Sequence, residues 1–173
     1  MMNMNYELIS AIEQFSKAVI KKYNIKIPIT DIDNVIKQIG GRVKNVSSYD
    51  RYYSDAKKEN NSFIIEVPTY LPDYRRNYLI AFELGHVLLH SGFESDWEKW
   101  NSLPNKSISK KYEHLDDEAG RFAISLLLPQ TEFKEYIYTY SIDNTISTQQ
   151  LVFYFKVSEG LVINRGKQLE VFR

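Results

Sequence analysis

The sequence predicts a single α+β domain over residues 1–173, mostly helical, with a small sheet. Three observations point there. Apolar residues recur at helical spacing in several separate stretches. Two short segments of strand character sit together between the second and third of these stretches. A chain of 173 residues, 43% hydrophobic and 14% aromatic, has material for one core and hardly for two.

Leu8, Ile12, Phe15 and Val19 share one helical face, which gives a first helix from about Tyr6 to Tyr23. Pro28 closes the connector after it. Thr30, with Asp33 three residues on, reads as a capping box that opens a second helix. Ile32, Val35, Ile36 and Ile39 form its buried face, and Gly40-Gly41 ends it. Arg42 to Val46 and the stronger Ser62 to Val67 read as strands. The polar stretch Tyr49 to Asn61 between them reads as a loop or an irregular hairpin. Pro72-Asp73 starts a third helix that runs to about His90 and stops at Ser91-Gly92. A polar segment with Trp97 and Trp100 follows, then a fourth helix through Glu113 to Leu128, stopped by Pro129. Phe133, Tyr136, Ile137 and Tyr140 give a fifth helix one apolar face, after which a tail remains.

The charge balance removes several function classes. Twenty-two Lys+Arg against 22 Asp+Glu leave a net charge of zero, which argues against a protein built to neutralise nucleic-acid backbone. Without cysteine there is no disulfide framework, Cys-type zinc finger or thiol nucleophile. No stretch approaches the roughly 20 apolar residues of a membrane helix. Met1 to Ile20 lacks the basic start of a signal peptide. A cytoplasmic protein is expected.

Metal or acid–base chemistry therefore falls to carboxylates, tyrosines and three histidines. Phe82-Glu83-Leu84-Gly85-His86-Val87-Leu88-Leu89-His90 lies in the third helix. At about 100° per residue, Glu83, His86 and His90 fall within about 60° of one face. Ligands one turn apart can converge on one ion, and a carboxylate beside them can hold the attacking water. Glu-x-x-His is common by chance, so the spacing alone leaves open a packed histidine with no metal. Gly85, in mid-helix, suggests another backbone passing close to this turn. In the fourth helix His114 stands one turn before Glu118, which puts a second His/carboxylate pair on one face. Asp116, Asp117 and Glu118 also suit a solvated helix start, as an acidic first turn complements the helix dipole.

With these residues the chain resembles the ImmA/IrrE family of zincin-like metallopeptidases. That family carries His-Glu-Leu-Gly-His after an apolar run, then Glu-Ala-Asn-x-Phe-Ala-x-x-Leu-Leu-Met-Pro. Here Leu79 to His90 matches the first motif, and Glu118-Ala119-Gly120-Arg121-Phe122-Ala123 through Leu127-Leu128-Pro129 matches the second. Leu151 to Leu169, with Phe155-Lys156-Val157-Ser158 and Arg165, is similar to the family's terminal helical pair, here about 147–173. The resemblance implies a zincin-like fold with a HExxH-type active-site helix. It implies Glu83 as general base, His86 and Glu118 as ligands of Zn2+, and metal-assisted peptide hydrolysis. It also implies a partner, a helix-turn-helix repressor of a phage or mobile element, relieved by cleavage or by binding.

The first motif histidine is replaced by Phe82, which cannot coordinate zinc. Three outcomes are open. His114 or His90 supplies the missing ligand, with His114 the better placed by its spacing to Glu118. Metal binds weakly, or only with the partner present. Or the site is dead and the scaffold serves as a binding module. The leading expectation is an antirepressor with impaired or absent proteolysis; the alternative is an active zinc endopeptidase using a substitute histidine.

Phe155 to Ser158 followed by a helix also resembles half of a DNA-binding helix-turn-helix. Between Ser147 and Arg173, Lys156, Arg165, Lys167 and Arg173 outweigh Glu159 and Glu170 by only two charges, which argues for core packing over DNA binding. Tyr52-Tyr53 read as loop residues able to gate a cleft, Tyr136 and Tyr140 as core, and Trp97 and Trp100 as candidates for a partner groove. Arg75-Arg76 read as surface caps or pairs.

Overall fold

The computed structural model describes residues 6–47, 53–143 and 145–172. Helix α1 spans Tyr6–Lys22 and α2 spans Ile32–Ile39. The N-cap of α2 is Asp31, whose carboxylate accepts from the Asn34 amide at 3.0 Å, rather than Thr30 as the capping-box pattern predicts. Asp at that position meets an orphan N–H directly and shifts the start by one residue. Gly40 ends α2 in the left-handed region, at φ 108°.

Strands β1 (Arg42–Val46), β2 (Asp55–Glu59) and β3 (Ser62–Pro68) form a sheet in the order β1-β3-β2. β1 runs parallel to β3, with Arg42 opposite Ile64; β2 runs antiparallel, with Glu59 opposite Ser62. The stretch expected as loop or irregular hairpin is thus a regular hairpin arm from Asp55 onward. β3 is central and buried from Phe63 to Pro68, as its run of apolar residues requires.

Helix α3 (Asp73–Gly85) packs on β3 and continues as a π-helical turn, His86–His90. Helix α4 (Trp97–Ser102) follows, then a 3₁₀ segment, Lys110–Leu115, and α5 (Asp116–Leu127). The last three helices are α6 (Gln130–Tyr140), α7 (Thr148–Phe155) and α8 (Glu159–Gln168). The architecture is the expected α+β class, mostly helical with a three-stranded sheet. Among the described residues no helix is long and apolar enough to cross a membrane.

α5 lies against both α1 and α3, and the core runs between them and the sheet through Ile12, Ile80, Leu84, Phe122 and Leu126. At Gly85 the backbone of α5 comes close to α3. A Cβ there would stand 2.9 Å from both Cα and the carbonyl oxygen of Ala119. The mid-helix glycine is therefore explained by a neighbouring backbone. Gly85→Ala is expected to destabilise the fold by about 1–3 kcal/mol, since overpacking outweighs the gain in helix propensity. A urea midpoint that stays level or rises would show that α3 and α5 can part without cost.

Trp100 is fully buried against Phe93, while Trp97 is exposed; only the first is core. Tyr140, expected in the core, is exposed and stacks with half-buried Tyr136 at 4.5 Å on the surface of α6. Of the tyrosine pair proposed as a gate, Tyr53 is exposed and Tyr52 lies outside the described residues. Arg76 pairs with Asp33 through two bonds of 2.7 and 2.8 Å, which ties α3 to α2.

Candidate functional site

The site is built where the π-helical turn meets the start of α5. His86 and His90, four residues apart in this turn, meet edge to face, with ring centroids 5.3 Å apart and Nδ1 atoms 3.3 Å apart. His86 Nε2 lies 3.1 Å from Asp116 Oδ1, and His90 Nε2 lies 3.3 Å from Glu118 Oε2. The order is carboxylate, imidazole, imidazole, carboxylate, along one line of side chains.

Both rings are buried, at 0% and 4% exposure. Burial pushes His86 down to about 4, with the neighbouring His90 adding to it and Asp116 opposing. Burial pushes His90 down to about 4 as well, helped by the charges of Lys99 and His114. At neutral pH the pair is therefore uncharged and holds two N–H protons for three contacts. The protons fit best on the two Nε2 atoms, each facing a carboxylate, which leaves the two Nδ1 atoms facing one another without a proton between them.

Phe82 occupies the turn before His86. Its ring meets the imidazole edge-on, with centroids 5.0 Å apart, and stacks on Tyr78. The position of the first motif histidine is filled by an apolar ring in contact with the second.

Glu83 is turned to the other flank of α3. It is 2% exposed, and its carboxylate accepts from the Ser54 hydroxyl at 2.7 Å, the Ala56 amide at 3.0 Å and the Ser109 hydroxyl. Burial raises its pKa, and these hydrogen bonds only partly offset that. None of its hydrogen bonds goes to His86, His90 or Glu118. These three donors fix the orientation of the carboxylate and leave about one of its four acceptor sites unused.

His114 does not stand on α5. The helix starts at Asp116, and the preceding residues form a 3₁₀ segment with a non-helical Tyr112, so the spacing of His114 to Glu118 no longer sets one face. It is exposed and makes no hydrogen bond among the described residues. The structure thus brings together His86, His90 and Glu118 of the sequence candidates. It leaves Glu83 apart, leaves His114 outside, and adds Asp116, Ser54 and Ser109. Asp116 carried a weak signal, its place among the acidic residues before Ala119. Ser54 and Ser109 carried none.

Among the described residues no three His, Asp or Glu side chains are placed to hold a metal ion together. The residues present, with Phe82 where a ligand would stand, do not fit a three-ligand zinc site as they are arranged.

The family model of the IrrE N-terminal-like domain, a peptidase family, matches residues 36–167. Among curated proteins no match is found. A solved structure of a Mycobacterium tuberculosis transcriptional regulator is similar in fold, with a TM-score of 0.58 and 19% identity. The alignment covers 94% of this chain and 47% of that one, so this chain spans about half the length of its structural relative.

Proposed function

Because the chain belongs to the family of IrrE N-terminal-like domains, we propose that it is a cytoplasmic antirepressor. In this reading it binds a helix-turn-helix repressor of a phage or mobile element on a peptidase scaffold whose proteolysis is impaired or absent. The observation that carries the reading is Phe82, whose ring packs edge-on against His86 where a metal-binding imidazole would stand. A three-ligand catalytic zinc site tolerates the loss of a ligand poorly, because ion, water and substrate share its few positions.

The C-terminal pair favours a protein partner over nucleic acid. α7 and α8 are joined by the short turn Lys156 to Ser158 in helix-turn-helix fashion. Arg165, in the last turn of α8, is fully buried and turned inward to Glu13. That leaves Lys167 as the exposed cation of α8, which is too little charge for a phosphate-binding helix. The structural relative is titled a transcriptional regulator, which agrees with a regulatory role.

A second reading is favoured by the contact of His90 with both His86 and Glu118. Here His90, rather than His114, supplies the missing ligand of Zn2+ and the chain cleaves its repressor. Glu83→Gln separates the two in a reporter strain whose promoter is held by the repressor. Equal derepression by wild type and variant, with the repressor intact on a gel, sustains the binding reading. Cleaved repressor with wild type and intact repressor with the variant would sink it and leave the peptidase.

A further inference from the structure

We propose that the cleft bordered by α1, the start of α6 and the end of α8 binds a small organic carboxylate with an apolar body. The inference stands apart from the antirepressor reading, and either can fail without the other.

The cleft has a volume of about 770 Å³, and none of its lining residues belongs to the histidine site. Sites for small organic molecules occupy about 300–1,000 Å³ and combine apolar surface with a few placed polar groups. Ile9, Ile20 and Leu169 supply half-buried apolar surface.

The deepest lining is charged. Glu13, Arg121 and Ser125 contribute to it, and Arg165 lies fully buried against Glu13. Both oxygens of Glu13 are taken, by Arg165 and by Arg121 Nη2. One carboxylate thus serves two guanidinium groups, and Arg121 is left short of acceptors. Its Nε is buried without a partner, and its Nη1 makes no hydrogen bond among the described residues. Burial pushes the Arg121 guanidinium below its ordinary value; Glu13 opposes the shift and Arg165 adds to it. Lys17 and Lys134 also line the cleft, against Glu132, which is half-buried, and Glu170, which is exposed. With Arg165 counted, four cations meet three carboxylates, and the surplus positive charge sits at the buried end.

The first turn of α6 adds an attraction of a different kind. Gln130, Thr131 and Glu132 line the cleft, and the N-cap is Pro129, with no side chain bonded to the turn. The first amides of a helix lack intrahelical partners and stand at the positive end of its dipole, which suits an anion. A carboxylate head between Arg121 and this turn leaves an apolar tail for Ile9, Ile20 and Leu169. The lining comes from α1, α5, α6 and the end of α8, so a ligand would brace these helices against α5, which carries Glu118.

Amide NMR titration of the whole chain with octanoate tests the site. Saturable shifts are expected at Gln130, Thr131 and Arg121, with a Kd of about 1 mM or tighter. Octanol, which has the tail without the charge, and inorganic phosphate, which has the charge without the tail, should each bind about tenfold or more weakly. Arg121→Lys keeps a cation for Glu13 but removes the unpaired guanidinium nitrogens, and should weaken octanoate about tenfold. The Lys17→Gln, Lys134→Gln double variant leaves the Glu13 cluster intact and should weaken it about threefold or more. Absence of saturable shifts at Gln130 and Thr131, or shifts centred instead on the exposed Phe153, would overturn the site. Octanol binding as tightly as octanoate would overturn the anionic ligand. So would unchanged octanoate affinity in folded Arg121→Lys protein, or in the double variant should Arg121→Lys not fold.

Discussion

Phe82→His is expected to take the chain from little or no bound zinc to one ion per molecule, with affinity raised about a hundredfold or more. The argument is geometric. Residue 82 lies one turn before His86, and its side chain is already in contact with that imidazole. A histidine there brings a further imidazole nitrogen, an ordinary zinc ligand, beside the His86 ring. Glu118 stands across from them on α5, within reach of the same rings through His90. Elemental analysis of protein purified without a polyhistidine tag reads the stoichiometry. Thermal melts with added zinc read the affinity, since ligand at about 100 times its Kd stabilises by about 2.7 kcal/mol. If the wild type holds one zinc as tightly as the variant, Phe82 is not the defect and His90 is the working ligand.

How much of this was legible depended on whether side-chain pattern or tertiary contact decides the element. The first two helices and β3 follow from apolar periodicity, and the structure has them within a residue or two. β2 was missed because its sequence, Asp-Ala-Lys-Lys-Glu, reads as a polar loop. Asp55 and Lys58 are nonetheless buried, each compensated by groups far along the chain, Ser107 for one and the carbonyls closing α4 for the other. No local pattern announces such partners. The site divides in the same way. The motif residues were found, but their roles rest on backbone details that periodicity cannot supply. The start of α5 at Asp116 exchanges His114 for Asp116. A shift of a helix start by two or three residues rotates every side chain before it off the expected face. Glu83 shows the same limit, since its spacing to His86 is unaltered while its hydrogen bonds go to Ser54, Ala56 and Ser109.

The largest loss of stability is expected from Glu13→Gln. Glu13 of α1 accepts from Arg165 of α8 through both oxygens, at 2.6 and 2.9 Å, and from Arg121 of α5 at 2.7 Å. Arg165 is fully buried and also donates to the Leu128 carbonyl at the end of α5. One carboxylate therefore balances two guanidinium groups at the junction of three helices, and Gln would leave both without a counter-charge. Breaking a buried pair from one side costs about 3–5 kcal/mol, because the remaining charge stays desolvated. Burial alone would push Glu13 up. The hydrogen bond and charge of Arg165, with Ser125 and Arg121, outweigh it and hold the carboxyl below its ordinary value of 4.5. A lowered acid pKa stabilises the fold above the unfolded value, and that stabilisation is lost as pH falls through the folded value. Urea unfolding should thus show the full gap between wild type and variant at pH 7.5, narrowing once the pH drops below about 4.5. Removing Arg121 as well, in a Glu13→Gln, Arg121→Gln double variant, should recover part of the loss, since one of the two like charges is gone. A gap at pH 7.5 below about 1 kcal/mol would place these three groups with solvent-screened surface pairs and remove the lock on α5, the helix that carries Glu118.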